Sequence, residues 1–185
     1  HMFLKKTYNC VDMFVLLSKH MINKLPVQDK PCIVIEGMYN SDDEINDHVI
    51  ETKTREKKVF YSGAVNERNG IFTLVEAFRQ IEDTDYRLII CGDGEAKKFV
   101  MDASEKDKRI LYKGQVPRNE VLTLQKESTL LINPRSSDGE FTRYSFPSKT
   151  MEYFASGVPV LMFEIEGVPE EYYSFCYTIK ENTAT

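Results

Sequence analysis

The feature that most limits what this chain can fold into is an alternation of short apolar runs with amphipathic segments from Val59 to Ile179. The runs are rich in Ile, Val and Leu, as expected of strands that helices cover on both faces of a parallel sheet. The alternation predicts an α/β fold, a Rossmann-like doubly wound parallel sheet. The predicted strands are Val59–Ser62, Arg87–Cys91, Ile110–Tyr112, Thr129–Asn133, Val158–Phe163 and Cys176–Ile179.

The segments between these strands have the apolar spacing of helices. One helix face is formed by four residues: Ile71, Leu74, Val75 and Phe78. Three further helices are predicted, from Glu95 to about Ser104, from Pro117 onward, and from about Ser148 to Ala155.

The residues before Val59 form a shorter unit with a separate pattern of apolar runs. Residues 11–17, 19–25 and 31–37 are predicted to be a strand, a helix and a strand. Residues 41–58 are charged and lack apolar periodicity, so we interpret them as an exposed linker.

Composition and charge argue against several classes of protein and of binding site. The net charge of −5 over 185 residues argues against a nucleic-acid-binding surface, which needs clustered Lys and Arg. The four cysteines are widely spaced, with no CxxC and no Cys/His cluster, so no metal site is expected. No apolar run is long enough to cross a bilayer and no signal-peptide pattern is present, which predicts a cytoplasmic protein and leaves peripheral contact with a membrane open.

Ligands of an open parallel sheet bind in the crevice at the carboxyl ends of its strands, so the loops that follow strands are the candidate site. The first such loop is Gly63–Gly70. Backbone N–H groups of Gly63 and Ala64 are suited to a phosphate, and the guanidinium of Arg68 adds a fork of donors. A plain tight turn is the alternative interpretation of this loop.

Two further loops follow strands and contain glycine. Gly92 and Gly94 end one strand, where either a ligand contact or a turn fits the pattern. Residues 114–118 follow the next strand, and Val116 and Pro117 are candidates to border a nucleotide base. Pro117 also suits a helix start, so this loop alone is weak evidence.

The most informative segment is residues 143–160. Lys149 is predicted to lie in the first turn of a helix, where the helix dipole disfavours a cation unless an anion binds nearby. Glu152 follows on the same helix face, and its carboxylate could accept hydrogen bonds from a ribose. An ordinary surface ion pair between the two is the alternative. Backbone N–H groups at this helix start are also candidates: Ser145, Phe146 and Ser148.

Residues 146–161, FPSKTMEYFASGVPVL, resemble the donor-site signature of retaining glycosyltransferases of the GT-B fold, family 4. Glu152 matches the second Glu of that pattern, and residues 157–160 match its Gly-x-Pro-Val ending. The resemblance also covers residues 61–78, 88–95 and 112–134, in the order of the family. The most similar subgroup builds bacterial surface polysaccharides such as capsule or O-antigen.

The sequence departs from the family pattern at three positions. The first Glu of the pattern falls on Tyr144, with Glu140 nearby but out of register. The Arg and Lys that the family often has in the first loop are replaced by Ala64 and Asn69. We infer that Arg68 supplies the missing charge there.

The resemblance implies a hexosyltransferase-type enzyme that moves a sugar from a UDP-sugar or GDP-sugar to a polysaccharide or lipid-linked acceptor, with no metal and no further cofactor. Arg68 and Lys149 are the predicted catalytic cations. The predicted substrate-binding residues are Gly63, Ala64, Asn69, Gly92, Gly94, Val116, Pro117, Arg143, Tyr144, Ser145, Phe146 and Glu152.

By the same resemblance, residues 1–57 are the end of an acceptor-binding domain with its linker, and residues 58–185 are a nucleotide-sugar-binding domain that stops before the family's closing helices. Such a fragment is expected to bind donor without turnover, while the acceptor reaches the enzyme through the other domain at the inner face of the membrane. Two alternatives remain: a sugar-nucleotide epimerase of the same architecture, and a nucleotide-sugar-binding domain without activity.

Overall fold

The computed structural model describes residues 7, 8, 10–25, 27, 29–39 and 56–180. The strands are β1 (Phe14–Leu16), β2 (Cys32–Val34), β3 (Lys57–Ser62), β4 (Tyr86–Cys91), β5 (Ile110–Gly114), β6 (Leu130–Asn133), β7 (Val160–Phe163) and β8 (Tyr177–Ile179). The α-helices are α1 (His20–Lys24), α2 (Ile71–Arg79), α3 (Lys97–Lys106), α4 (Arg118–Lys126) and α5 (Ser148–Ala155). Short 3₁₀ segments occupy Glu67–Asn69, Glu140–Tyr144 and Glu170–Phe175.

The main sheet has six strands in the order β5-β4-β3-β6-β7-β8, and every neighbouring pair is parallel. The chain leaves β3 toward β4 and β5 on one side, then crosses back to β6 and continues outward on the other side. The predicted doubly wound, Rossmann-like α/β fold is confirmed. Because the winding direction reverses between β3 and β6, the ends of these two strands frame the crevice where this fold binds ligands.

The central strand β3 is buried on both faces. Val59 and Tyr61 pack with α2 and α3 on one face of the sheet. Phe60, which is fully buried, packs with Leu131 and Tyr153 on the other face. Burying a side chain of this size stabilises the fold by about 2–3 kcal/mol before entropy is counted. This two-sided burial is why β3 lacks the alternation of polar and apolar residues that marks a half-exposed strand.

The element boundaries differ from the predicted ones by a few residues. Helix α5 spans the predicted range. Strand β3 begins at Lys57 rather than at Val59, because Lys57 and Lys58 pair with β4 although they are charged. Helix α3 begins at Lys97 rather than at Glu95. A single sequence shows an apolar core well, but it shows poorly where backbone pairing continues past that core.

The N-terminal unit consists of β1, α1 and β2, and β1 and β2 pair in parallel. The predicted strand–helix–strand is confirmed, although β1 covers only Phe14–Leu16 of the predicted residues 11–17. The unit touches the main domain through Ser18, whose Oγ donates to the Arg143 carbonyl at 2.9 Å. Most of the predicted linker, residues 41–55, lies outside the described residues, and the assignment of the unit to an acceptor domain stays a prediction.

Candidate functional site

Two adjoining cavities open where the carboxyl ends of β3, β4, β5 and β6 meet. The first, which we call the switch-point cavity, has a volume of about 420 Å³ and lies between the ends of β3 and β6 and the start of α5. Its lining residues are Tyr61, Ser62, Gly63, Ala64, Asn69, Ile132, Asn133, Arg135, Phe146, Pro147, Ser148, Lys149 and Tyr153. Its position is the reversal point at which this fold is expected to bind a ligand.

The second, which we call the neighbouring cavity, has a volume of about 370 Å³ and lies beyond the ends of β4 and β5. Its lining residues are Ser62, Gly63, Ala64, Cys91, Gly92, Asp93, Gln115, Val116, Val121 and Lys149. Lys149 and the end of β3 line both cavities, so together they can hold one ligand with two chemically different parts. Each volume falls in the range of small-molecule sites.

Close backbone packing shapes the floor of both cavities. Gly92 donates its N–H to the Gly114 carbonyl at 2.7 Å, and a Cβ at Gly92 would lie 1.8 Å from the Gly63 carbonyl oxygen. In the first loop, Gly70 is left-handed with φ of 74°, and a Cβ there would lie 1.9 Å from the Pro134 carbonyl oxygen. Only glycine permits these approaches, which bring three successive strand ends into one cleft.

Tyr153 holds α5 against the end of β3. Its hydroxyl accepts the Ser62 N–H at 3.0 Å, in a fully buried position between helix and strand. Burial raises the pKa of Tyr153 to about 12, so the hydroxyl stays protonated and can also donate. This contact holds α5, the helix that carries Lys149, to the end of β3 beside the cavities.

Lys149 is held by Glu152, whose carboxylate has three donors around it. Lys149 Nζ donates to Glu152 Oε1 at 2.9 Å, Gln125 Nε2 donates to the same oxygen at 2.6 Å, and Arg118 Nη1 donates to Oε2 at 2.9 Å. Burial alone would raise the pKa of Glu152, but the hydrogen bonds from Lys149 and Gln125 and the charges of Lys149 and Arg118 outweigh it. The pKa of Glu152 is therefore lowered, and the group is ionised at neutral pH.

The switch-point cavity is positively charged. Two of its lining residues, Arg135 and Lys149, are cationic, and no Asp or Glu is among the described residues that line it. The neighbouring cavity adds one carboxylate, Asp93, and a more apolar wall formed by Val116 and Val121. The first cavity therefore suits an anion, and the second suits a flat, mostly uncharged group.

Half of the residues predicted from sequence line these cavities. The switch-point cavity contains Gly63, Ala64, Asn69, Phe146 and Lys149, and the neighbouring cavity contains Gly92 and Val116. The predicted contact between the Gly63 N–H and a phosphate is wrong. The Gly63 N–H donates to the Cys91 carbonyl at 3.0 Å and so is not available to a phosphate, because β3 and β4 remain paired to their ends.

The other predicted residues lie beside the cavities or point away from them. Arg68 contacts the Phe141 ring, with its guanidinium carbon 5.0 Å from the ring centre. The Arg143 side chain pairs with Glu166 rather than entering the cleft, and its backbone carbonyl accepts a hydrogen bond from Ser18.

Tyr144 donates to Glu140 at 3.2 Å, in an exposed pair outside both cavities. Ser145 donates its N–H to the Thr142 carbonyl, over a long 3.4 Å. Gly94 packs its backbone against Val65, and Pro117 caps α4, so neither lines a cavity. Glu152 acts on the site through Lys149 in this arrangement.

Sequence reasoning missed four residues that shape the site: Arg118, Gln125, Arg135 and Tyr153. Gln125 and Tyr153 lie within apolar helix faces and look like core positions in the sequence. Arg135 had a usable signal, since it is the first charged residue after the end of β6 and ligand-binding residues follow strand ends in this fold.

Metal ligands and reactive thiols do not mark this cleft. No group of three or more His, Cys, Asp or Glu side chains suited to a metal ion occurs among the described residues. Cys91 lines the neighbouring cavity, and burial raises the pKa of its thiol to about 11. Within the described part of the chain, no helix is both long and apolar enough to cross a bilayer.

Several solved structures share this fold at low sequence identity. Sucrose-phosphate synthase from Thermosynechococcus elongatus aligns with a TM-score of 0.72 and 19% identity, over 99% of this chain and 49% of that one. A complex of S. aureus TarM with UDP aligns with a TM-score of 0.70 and 16% identity, over 96% of this chain and 36% of that one. HepE from Anabaena, also in complex with UDP, aligns with a TM-score of 0.67 and 14% identity, over 98% and 54% of the two chains.

The chain thus spans between about a third and about half of the length of these structures. No curated protein matches it in sequence. The family model described as "Glycosyl transferases group 1" matches residues 42–175, which include all the lining residues of both cavities. On this match, the chain belongs to the glycosyl transferases group 1 family.

Proposed function

We propose that this chain is the donor-binding part of a retaining, family 4 glycosyltransferase that uses a UDP-sugar or a GDP-sugar. The observation that supports this most directly is the switch-point cavity with Arg135 and Lys149 in its wall and no carboxylate among its described lining residues. A nucleoside diphosphate presents the matching negative charge, and the neighbouring cavity offers room for its base.

The chemical task is departure of the diphosphate. The bond between the sugar anomeric carbon and the phosphate oxygen breaks, the acceptor hydroxyl oxygen bonds to that carbon on the same face, and the hydroxyl proton leaves to the departing phosphate or to water. Negative charge grows on the diphosphate, so a cation preplaced there lowers the barrier. Lys149 is held for this role by its hydrogen bond to Glu152. Arg68, whose guanidinium contacts the Phe141 ring, adds a further positive charge beside the cavity.

The nucleoside part belongs in the neighbouring cavity on this proposal. Val116 and Val121 provide an apolar wall for the base, and Lys149 lies between that wall and the phosphates. Glu152 is the candidate ribose ligand. For Glu152 to bind a ribose through Oε2, the ion pair between Oε2 and Arg118 must open, and the half-exposed side chain of Arg118 permits this.

The same proposal includes an acceptor and a cellular location for the reaction. The acceptor is a polysaccharide or lipid-linked sugar that reaches the donor from the other domain of the GT-B pair, at the cytoplasmic face of a membrane. Because the chain provides only one side of such a cleft, we expect it to bind donor and not to turn it over, since catalysis requires both substrates held together.

One observation favours a second candidate, a nucleotide-sugar-binding domain without activity. The family pattern places a carboxylate where this chain has Tyr144, and Tyr144 donates to Glu140 at 3.2 Å outside both cavities. Glu140 is itself paired with Lys24 at 2.8 Å. Neither residue offers a carboxylate to a sugar in this arrangement.

Calorimetric titration of the chain with UDP and GDP tests the proposal. One of the two should bind, and Lys149→Ala should weaken binding by about 1–3 kcal/mol, as expected for the loss of a charged hydrogen bond. Lys106→Ala is the matched control, because Lys106 is exposed and precedes the amino end of β5, whereas the cavities lie at the carboxyl ends of the strands. Absence of binding at millimolar UDP and GDP would reject the proposal. Equal losses of nucleotide affinity in both variants would show that Lys149 does not contact the nucleotide.

A further inference from the structure

Arg135 is a cation that the mechanism above does not use. It lies two residues beyond the end of β6 and lines the switch-point cavity. One guanidinium nitrogen, Nη2, donates to Ser145 Oγ at 2.9 Å, and the guanidinium carbon lies 4.9 Å from the centre of the Phe141 ring. Its Nε is buried and has no hydrogen-bond partner within the described residues.

Arg135 differs from three other arginines of the described residues, each of which pairs with a carboxylate. Arg109 pairs with Asp107, Arg143 with Glu166 and Arg118 with Glu152.

The partners of Arg135, by contrast, are a hydroxyl and an aromatic ring, and neither carries charge. Burial, together with the nearby charge of Arg68, lowers the pKa of Arg135. A guanidinium keeps its charge in proteins, so this arginine is held partly desolvated, and no carboxylate of the described residues pairs with it. The open side from which an anion can approach it is the cavity.

The first loop contributes no charged side chain to the lining of the same cavity. The residues that the first loop contributes are Gly63, Ala64 and Asn69, all neutral, and Asn69 Nδ2 is used to donate to the Ala64 carbonyl at 3.1 Å. The positive charge of the cavity wall therefore comes from the chain after β6, in Arg135 and Lys149. Two cations in one small cavity match the two or more negative charges of a diphosphate better than a single carboxylate.

We propose that Arg135 is the second diphosphate-binding cation of the donor site and acts together with Lys149, since the first loop contributes no charged side chain to the cavity lining. This assignment rests on the proposed function, because it concerns the same ligand. The planar guanidinium can donate to two phosphate oxygens at once, whereas Lys149 acts as a point charge. In this arrangement Arg68 contributes less than Arg135, since it is outside the cavity lining.

Titrations with matched nucleotides test this assignment. UDP and UMP, or GDP and GMP if guanine is preferred, are titrated into wild-type chain and into Arg135→Gln. The diphosphate should bind about 10-fold or more weakly to the variant, the range for losing a charge-assisted hydrogen bond, with a smaller loss for the monophosphate. Arg68→Gln should lose less than Arg135→Gln, and Arg79→Gln, on the exposed face of α2, controls for net charge.

The outcomes separate the two proposals. If wild-type chain binds neither UDP nor GDP, the proposed function fails and this assignment with it. If wild-type chain binds the diphosphate and Arg135→Gln binds it within about twofold, only the assignment fails. Thermal unfolding of each variant shows whether it is folded.

If Arg135→Gln does not fold, Arg135→Lys decides. That variant keeps the charge but loses the planar fork, so it should bind the diphosphate several-fold more weakly than wild type. An unchanged diphosphate affinity in a folded Arg135→Lys would overturn the assignment.

Discussion

The loop after β3, residues 63–70, and the segment after β6, residues 134–149, face the same cavity in opposite ways. The first approaches it with backbone and with small neutral side chains. The second brings both cations, Arg135 and Lys149, and the aromatic ring of Phe146. The first side therefore sets the shape of the cavity and the second sets its charge, so we expect substitutions on the first to change stability and substitutions on the second to change ligand affinity.

Gly70→Ala should have the largest effect on stability, because Gly70 is where the two sides touch. Its left-handed backbone disfavours any Cβ, and the new atom would lie 1.9 Å from the Pro134 carbonyl oxygen. We expect a loss of about 2–5 kcal/mol in the free energy of unfolding, the sum of backbone strain and overpacking. Urea denaturation measures it.

Gly114→Ala is the matched control for that substitution. Gly114 is also left-handed, with φ of 67°, but no atom lies within 4 Å of a Cβ built there. Only the strain of about 1–2 kcal/mol should remain. Similar losses in the two variants would show that the close contact between the two sides is not what requires glycine at position 70.

Tyr153→Phe should have an intermediate effect. The substitution leaves the buried Ser62 N–H without its acceptor, which costs about 1–3 kcal/mol of stability. Tyr177→Phe serves as the control, because Tyr177 is largely exposed and should change stability by less than about 0.5 kcal/mol. If both variants unfold at the urea concentration of the wild type, α5 is not held to β3 by this hydroxyl.

Glu152→Gln should have the smallest effect, and the effect should depend on pH. Loss of the carboxylate charge beside Lys149 and Arg118 should cost about 1 kcal/mol at neutral pH, the difference between charged and neutral hydrogen bonds. The pKa of Glu152 is lower in the folded chain than its ordinary value of 4.5. The stabilisation is therefore complete above pH 4.5 and is lost as the pH falls through the folded pKa.

Stability curves of wild type and Glu152→Gln measured from pH 7 downward check this. The two should converge below pH 4.5, since a protonated Glu152 resembles the amide. Other carboxylates with lowered pKa values, such as Asp107, titrate in both proteins and cancel in the difference. A gap that stays constant over this range would show that Glu152 is not ionised in the folded chain.

Much of the fold could be predicted from sequence, because its signal is local. The runs at Val59 and Leu130, for example, are apolar on both faces, and that alone indicates a strand in a covered parallel sheet. The strand boundaries were less accurate, since charged Lys57 pairs in β3 through its backbone, which the side chain does not reveal.

The positions of the cavity-lining loops could be predicted from the strand ends, but side-chain contacts within the site could be predicted only between residues near one another in the chain. Lys149 and Glu152 share one helix turn, so their pairing followed from spacing. Arg118 and Gln125 reach Glu152 from another helix, about 30 residues away in sequence, and no local pattern reports such a contact. The ion pair of Arg143 with Glu166 likewise arises from tertiary packing, and no local sequence pattern reports it.

Cys91 gives the cleft a chemical consequence of its own. Its thiol lines the neighbouring cavity, is almost fully buried, and has a pKa raised to about 11. A thiol that stays protonated is a poor nucleophile, so alkylating reagents and peroxide attack it slowly. Because Cys10 and Cys32 of the N-terminal unit are exposed, we expect such reagents to reach them before they reach Cys91 in the binding cleft.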